Sequence, residues 1–230
     1  MRAAVIVFPG SNCDADTHFA LNEVAQVPAD FVWHQATDLS GYDLVVLPGG
    51  FSYGDYLRTG AMAAHSPVMG AVRAAALRGT PVLGICNGFQ ILLEAGLLPG
   101  AMLRNHSLQF QCEWVHLRVE TARTPFTQAT RAGDVLRLPI AHGEGNYFAD
   151  PDNLKRLQDS DRIVFRYVDA DGRATDAANP NGSLANIAGV CSAARNVVGL
   201  MPHPERSSET DLGSRGGLVI WDSVLQAVRV

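Results

Sequence analysis

Lysine is almost missing from this chain: of 18 basic residues, one, Lys155, is a lysine and the others are arginines. A phosphate-cradling G-x-x-x-x-G-K-[ST] loop needs its lysine beside a glycine, whereas Lys155 sits in Asn153-Leu154-Lys155-Arg156. Schiff-base chemistry would have to fall on that same residue, so the sequence argues against both. Positive charge is not in excess either. The formal net charge is −5 and no basic block occurs, which weighs against a nucleic-acid surface. Cysteines are few and scattered: Cys13, Cys86, Cys112 and Cys191 form no C-x-x-C pair. That excludes the usual spacing of a thiolate zinc site or a disulfide scaffold, and no metal is expected. Long apolar runs are absent too. The first, Ala3 to Phe8, ends at Pro9-Gly10, too short for a signal h-region and far below the ~20 residues of a membrane span. The expectation is a soluble cytoplasmic protein with free thiols and no membrane partner.

What is present belongs to a globular enzyme. Hydrophobic residues make up 47% and charged ones 18% of the chain, a balance that folds rather than staying disordered. At 230 residues about 70–75% of the unfolded surface can be buried. With no linker, repeat or low-complexity tract, residues 1–230 are expected to form one domain.

Strand and helix signals alternate in the first half. Ala3 to Phe8, Asp30 to His34, Asp43 to Leu47 and Pro81 to Ile85 read as short strands. Asp14 to Ala25, a segment closing at Arg73 to Arg78, and Gly88 to Ala95 read as helices. In the second half, Gln109 to Glu120 and Ile163 to Val168 partly alternate polar and apolar residues. Ser183 to Cys191 is expected to join a hairpin after Asn181-Gly182, Asn196 to Met201 returns to a buried strand, and Gly216 to Val228 reads as a closing helix. The expected fold is α/β: a flavodoxin-like, open, mostly parallel sheet with helices on both faces and a small antiparallel insert.

Three segments can carry chemistry. In Gly84-Ile85-Cys86-Asn87-Gly88 a buried strand runs straight into a helix, with a nucleophile at the turn and glycine two positions to either side. That is a nucleophile elbow with cysteine for serine. A helix N-terminus favours the thiolate because its unpaired N–H groups and dipole stabilise negative charge. A cysteine nucleophile needs a base and a group to orient it. Pro202-His203-Pro204-Glu205 supplies both, since the prolines force extended backbone and residues two apart then point the same way. His142-Gly143-Glu144-Gly145 repeats the His-x-Glu spacing with flexible flanks. Spacing alone favours the Pro-clamped pair and leaves both open. The third segment, Pro48-Gly49-Gly50-Phe51, could offer an unobstructed backbone N–H at Gly50 that would complete an oxyanion hole with the Asn87 N–H. Cys13, Cys112 and Cys191 lack the elbow setting and read as bystanders.

Taken together, and in this order along the whole chain, these segments resemble the class I, Cys-His-Glu glutamine amidotransferases. Phe8-Pro9-Gly10-Ser11-Asn12-Cys13-Asp14, Gly49 to Arg58 and Ala141-His142-Gly143-Glu144-Gly145 look like the branch that acts as glutaminase for phosphoribosylformylglycinamidine synthase in purine synthesis. The resemblance implies a Cys86 nucleophile, His203 as proton shuttle and Glu205 as its support, with Gly50 and Asn87 as oxyanion donors. It also implies that Phe51, Gln90, His142, Gly143 and Glu144 line the glutamine pocket, which moves the second His-x-Glu pair from catalysis to binding. No cofactor is implied in this chain. ATP and Mg would sit on a partner synthetase subunit, with a small bridging subunit completing the complex. The alternatives from other classes are a stand-alone γ-glutamyl cysteine hydrolase of the same fold and a non-catalytic regulatory subunit.

Overall fold

Runs of small and β-branched residues too short to form anything but buried strands open the chain, and the computed structural model, which describes residues 1–228, pairs them in parallel. Ala3–Val7 (β1) leads to the helix Asp14–Phe19 (α1), whose end loosens into a π-helical turn over Ala20–Val24 before Ala29–Trp33 (β2). Leu44–Leu47 (β3), Val68–Leu77 (α2), Val82–Ile85 (β4) and Asn87–Glu94 (α3) follow. β1, β3 and β4 are buried almost throughout, as strands covered on both faces must be.

The second half contributes Ala101–Leu103 (β5), Gln111–Val119 (β6), Val135–His142 (β7), Asn146–Phe148 (β8), Pro151–Asp159 (α4) and Ile163–Val168 (β9). Ile187–Cys191 (β10), Val197–Leu200 (β11) and Leu218–Val228 (α5) complete the chain. One nine-stranded sheet has the order β2-β1-β3-β4-β11-β10-β9-β6-β7, and β5 and β8 form a separate pair. β2 through β11 in that order are parallel, and from β11 onward every pairing is antiparallel.

The antiparallel part continues the main sheet beyond β11. The tight hairpin expected at Asn181-Gly182 does not form. β9 and β10 do pair antiparallel, but the chain between them makes a long excursion. β7 is an edge strand, which is why it tolerates Pro139: a proline there breaks no ladder to a further strand. The β1→β2 and β3→β4 connections run in opposite directions along the sheet, so right-handed crossovers put α1 and α2 on opposite faces. That reversal lies between β1 and β3, and open α/β sheets place their sites outside the carboxyl ends of the strands at such a point. Among the described residues no helix is long and apolar enough to cross a membrane.

Candidate active site

The carboxyl ends of β1, β3, β4 and β11 deliver Cys13, Gly49–Gly50, Cys86 and His203 to one place. Cys86 stands between β4 and α3 with φ of +49° and ψ of −105°, a conformation that L-residues rarely hold unless the surroundings enforce it. The enforcement is visible. The Cys86 N–H donates to the Leu200 carbonyl on β11 at 2.8 Å, and the Cys86 carbonyl accepts from Gln90 N–H at 3.1 Å. The two flanking glycines are needed for close approach. A methyl group on Gly88 would collide with the Leu47 carbonyl of β3, and one on Gly84 would meet the Gly88 carbonyl at 2.7 Å. The thiol is buried and lies 3.8 Å from the Ala141 carbonyl oxygen.

His203 and Glu205 follow β11 on an extended, proline-flanked segment, and Nδ1 of His203 lies 2.5 Å from Oε1 of Glu205. Both side chains are at most 1% exposed. The His203 N–H of the main chain is fixed by the Pro139 carbonyl at 2.9 Å. Burial opposes a charged imidazole here, but the Glu205 carboxylate and then the Cys86 sulfur outweigh it, holding His203 well above the ordinary histidine range. Nε2 has no hydrogen-bond partner among the described residues. His203 lines a cavity of about 270 Å³ that Cys86 also lines.

The second His-x-Glu pair is not a pair. Asn181 Nδ2 lies 3.0 Å from His142 Nε2, which makes that nitrogen the acceptor and puts the proton on Nδ1. Burial, followed by the charge of His203, depresses His142 to a pKa of about 3. It is a neutral wall, not a base. The Glu144 carboxylate points elsewhere, taking the Thr59 hydroxyl at 3.1 Å and facing Arg104 at 3.8 Å, while its carbonyl accepts from Gln90 at 2.6 Å.

Phe51, Gln90, His142, Gly143 and Glu144 all line a second cavity of about 160 Å³ that also reaches Cys86 and Gly50. Sequence reasoning missed Asp55 in this wall. Burial and then the nearby Glu144 charge raise its pKa to about 6. The hydrogen bond from Asn87 at 3.4 Å partly offsets them. The only signal for it was its place in the Gly54-Asp55 turn. Gly50, at φ of +147°, is packed so that any side chain would strike the Ser11 and Asn12 backbone at 2.8 Å. The loop is stitched in place by Phe51 N–H to Gly10 carbonyl at 3.0 Å and by Ser52 N–H to the Asn87 side chain at 3.1 Å. The Gly50 and Asn87 N–H groups donate to no group among the described residues.

Cys13 was also missed. Its sulfur accepts the Arg206 Nη2–H at 3.0 Å, and it lines the same cavity as His203 and Cys86. Cys13 sulfur, a His203 nitrogen and a Glu205 oxygen lie within 4.8 Å of one another, a donor set of the kind zinc accepts. Here, however, the His203 nitrogen is already engaged by Glu205, and a guanidinium sits on the sulfur.

Residues 1–215 match the family model of the CobB/CobQ-like glutamine amidotransferase domain. The chain is 56% identical over 228 residues, 99% of each chain, to the phosphoribosylformylglycinamidine synthase subunit PurQ of Koribacter versatilis. It is 58% identical over 225 residues to that of Thermomicrobium roseum, covering 98% of this chain and 95% of the relative. The solved structure of PurLQS from Thermotoga maritima superimposes with a TM-score of 0.88 at 46% identity, over 99% of this chain and 98% of that one. The chain belongs to the class I glutamine amidotransferases, in the PurQ family of glutaminase subunits of phosphoribosylformylglycinamidine synthase.

Proposed function

We propose that Cys86, His203 and Glu205 form the glutaminase triad. The observation that carries this is the buried 2.5 Å His203–Glu205 pair, whose free Nε2 shares a cavity with a cysteine held in a strained turn. The Cys86 thiolate attacks the side-chain amide carbon of glutamine. The tetrahedral oxyanion is held by the Gly50 and Asn87 N–H groups, which have no partner among the described residues. Imidazolium at His203 protonates the departing nitrogen, ammonia leaves, and a γ-glutamyl thioester remains on Cys86. Neutral His203 then takes a proton from water, whose oxygen attacks the thioester, and glutamate departs. Throughout, Glu205 offsets the charge that His203 gains and loses.

Phe51, Gln90, His142, Gly143 and Glu144 hold the substrate. The Asp55 and Glu144 carboxylates give the pocket a negative rim suited to the α-ammonium group, and neutral His142 lets the wall exist without repelling it.

Ammonia released here is passed, on this reading, to a synthetase subunit that holds ATP and Mg and amidates formylglycinamide ribonucleotide. A small bridging subunit completes the cytoplasmic complex. The name PurLQS on the related structure supports an assembly of this kind. Phe110, which lines both cavities, is exposed, as are Leu108 just before it and Tyr56 and Leu57 just after Asp55 of the pocket wall, which supports this side as the synthetase-facing surface. The test is glutamate release by the purified chain, alone and then with its synthetase, small subunit, ATP and ribonucleotide substrate. Strong stimulation is expected. Full turnover by the chain alone, unchanged on assembly, would instead identify a free γ-glutamyl hydrolase.

A further inference from the structure

The triad accounts for three buried polar side chains at the ends of β4 and β11, but the same spot holds a buried cysteine and a half-buried arginine that it does not use. Cys13 stands immediately before α1, its N–H tied to the Gly49 carbonyl at 3.2 Å. Its sulfur presses on the same point as the imidazole: a methyl group placed on Gly49 would meet Cys13 Sγ at 3.1 Å and His203 Cε1 at 2.8 Å. Arg206, one residue past Glu205, reaches back across the chain to this sulfur, donating Nη2–H at 3.0 Å. That grip places Arg206 Nε 3.9 Å from Glu205 Oε1, the oxygen that also takes His203, and 3.6 Å from Asp16. The other Glu205 oxygen is buried with no partner among the described residues. A wholly buried carboxylate in that state needs compensating positive charge nearby.

We infer that Cys13 and Arg206 are a positioning pair for the basic half of the triad, the sulfur holding the guanidinium against Glu205 so that one carboxylate charge is divided between His203 and Arg206. Arg206 touches no reacting atom, and the Cys13 sulfur reaches the reaction only through His203. The effect of the pair is to limit how strongly His203 keeps its proton, because a positive charge beside the carboxylate weakens the hold of that carboxylate on the imidazolium. The charged or titratable groups facing His203 are Glu205, Cys86, Cys13 and, across the cavity wall, His142. Those facing Arg206 are Cys13, Glu205 and Asp16. Only Arg206 among them brings fixed positive charge.

The inference rests on the triad reading, and one experiment separates the two. The rate of Cys86 alkylation by iodoacetamide, followed by mass spectrometry of the Cys86 peptide in the full chain, is measured against pH, with kcat and KM of glutamine hydrolysis in the assembled complex. In the native chain the alkaline limb reports loss of the His203 proton, and His203→Asn removes that limb. If His203→Asn leaves the profile unchanged, the triad reading falls, and this inference with it. Given the limb, Arg206→Met is expected to move it upward by roughly half to one pH unit. Cys13→Ala moves it upward by less, because losing a sulfur that itself favours the His203 imidazolium partly offsets the freeing of the guanidinium, and the double variant moves it no further than Arg206→Met alone. Cys13→Ser, whose hydroxyl can still accept the Arg206 N–H, restores most of the native profile. KM stays within about twofold in all four variants. An unmoved limb in Arg206→Met, or equal shifts in Cys13→Ser and Cys13→Ala, would overturn the positioning role and leave the triad standing.

Discussion

Replacing Glu205 with glutamine keeps the shape of the His203 partner and removes its charge. The residue is fully buried and its Oε1 lies 2.5 Å from His203 Nδ1, so neither solvent nor salt screens the loss. Taking the imidazolium and carboxylate charge centres as ~4 Å apart in a medium of effective dielectric ~20, their attraction is about 4 kcal/mol. At about 1.4 kcal/mol per decade, that corresponds to a roughly thousandfold fall in any step that needs the imidazolium. A glutamine amide can also present its NH2 to Nδ1, turning the ring so that the wrong nitrogen carries the proton. That adds to the loss rather than offsetting it. The expected outcome is a fall of ~10²–10⁴ in kcat for glutamine hydrolysis with KM little changed, because Glu205 does not line the pocket that holds Phe51, Gln90 and Glu144. Cys86 alkylation below neutral pH should slow in parallel. The assay is glutamate release in the assembled complex, with synthesis from added ammonium chloride as the check on assembly. A fall of less than tenfold in a properly assembled complex would refute the role given to the buried pair.

Asp55→Asn removes a carboxylate whose pKa burial and Glu144 raise to about 6. Because the folded value exceeds the unfolded one, ionising Asp55 costs stability that is absent below pH ~4 and fully present above pH ~6. The variant should therefore gain roughly 1–2 kcal/mol at pH 7, allowing for the partial exposure of the group, readable as a shift of the urea midpoint. It should also raise KM for glutamine and abolish a rise in KM that the native enzyme shows as pH falls through 6. Gly88→Ala drives a methyl group into the Leu47 carbonyl. It should cost roughly 2–3 kcal/mol and lower Tm by about 5–10 °C, in contrast to an ordinary helical Gly→Ala. Cys112→Ser changes an exposed thiol and should leave stability within about 0.5 kcal/mol in the same denaturation assay.

Local chemistry made the elbow and the Pro-clamped histidine readable from the sequence. Gly84 and Gly88 bracket Cys86 because a helix must start where a buried strand stops, and Pro202 and Pro204 leave His203 little but extended backbone. The parallel strands were equally legible, since runs such as Leu44–Leu47 are wholly buried. Other elements were hidden. β7 is interrupted by Pro139, which an edge position accommodates. The helix Pro151–Asp159 is mostly polar and buries only Leu157, although Asp150 capping Asn153 N–H with proline at its first turn was a signal in plain view. Long-range pairs left no local trace. Asn181, which fixes the tautomer of His142, lies 39 residues from it, and Cys13 lies 193 residues from Arg206. The same distance explains how Cys13 passed for a bystander while standing against the triad. For the two His-x-Glu segments, it was side-chain direction rather than spacing that separated the carboxylate-paired imidazole of His203 from His142, which bonds Asn181 instead.

The central claim is that this chain makes ammonia through Cys86 while the rest of the reaction is carried elsewhere. Its most direct measurement is the rate of formylglycinamidine ribonucleotide synthesis by the complex assembled with Cys86→Ala, supplied in parallel with glutamine or with ammonium chloride, ATP and Mg being present in both. The account predicts that synthesis from glutamine disappears and that synthesis from ammonia matches the unmodified complex. Retention of glutamine-dependent synthesis, or loss of the ammonia-dependent rate in a correctly assembled complex, would contradict it.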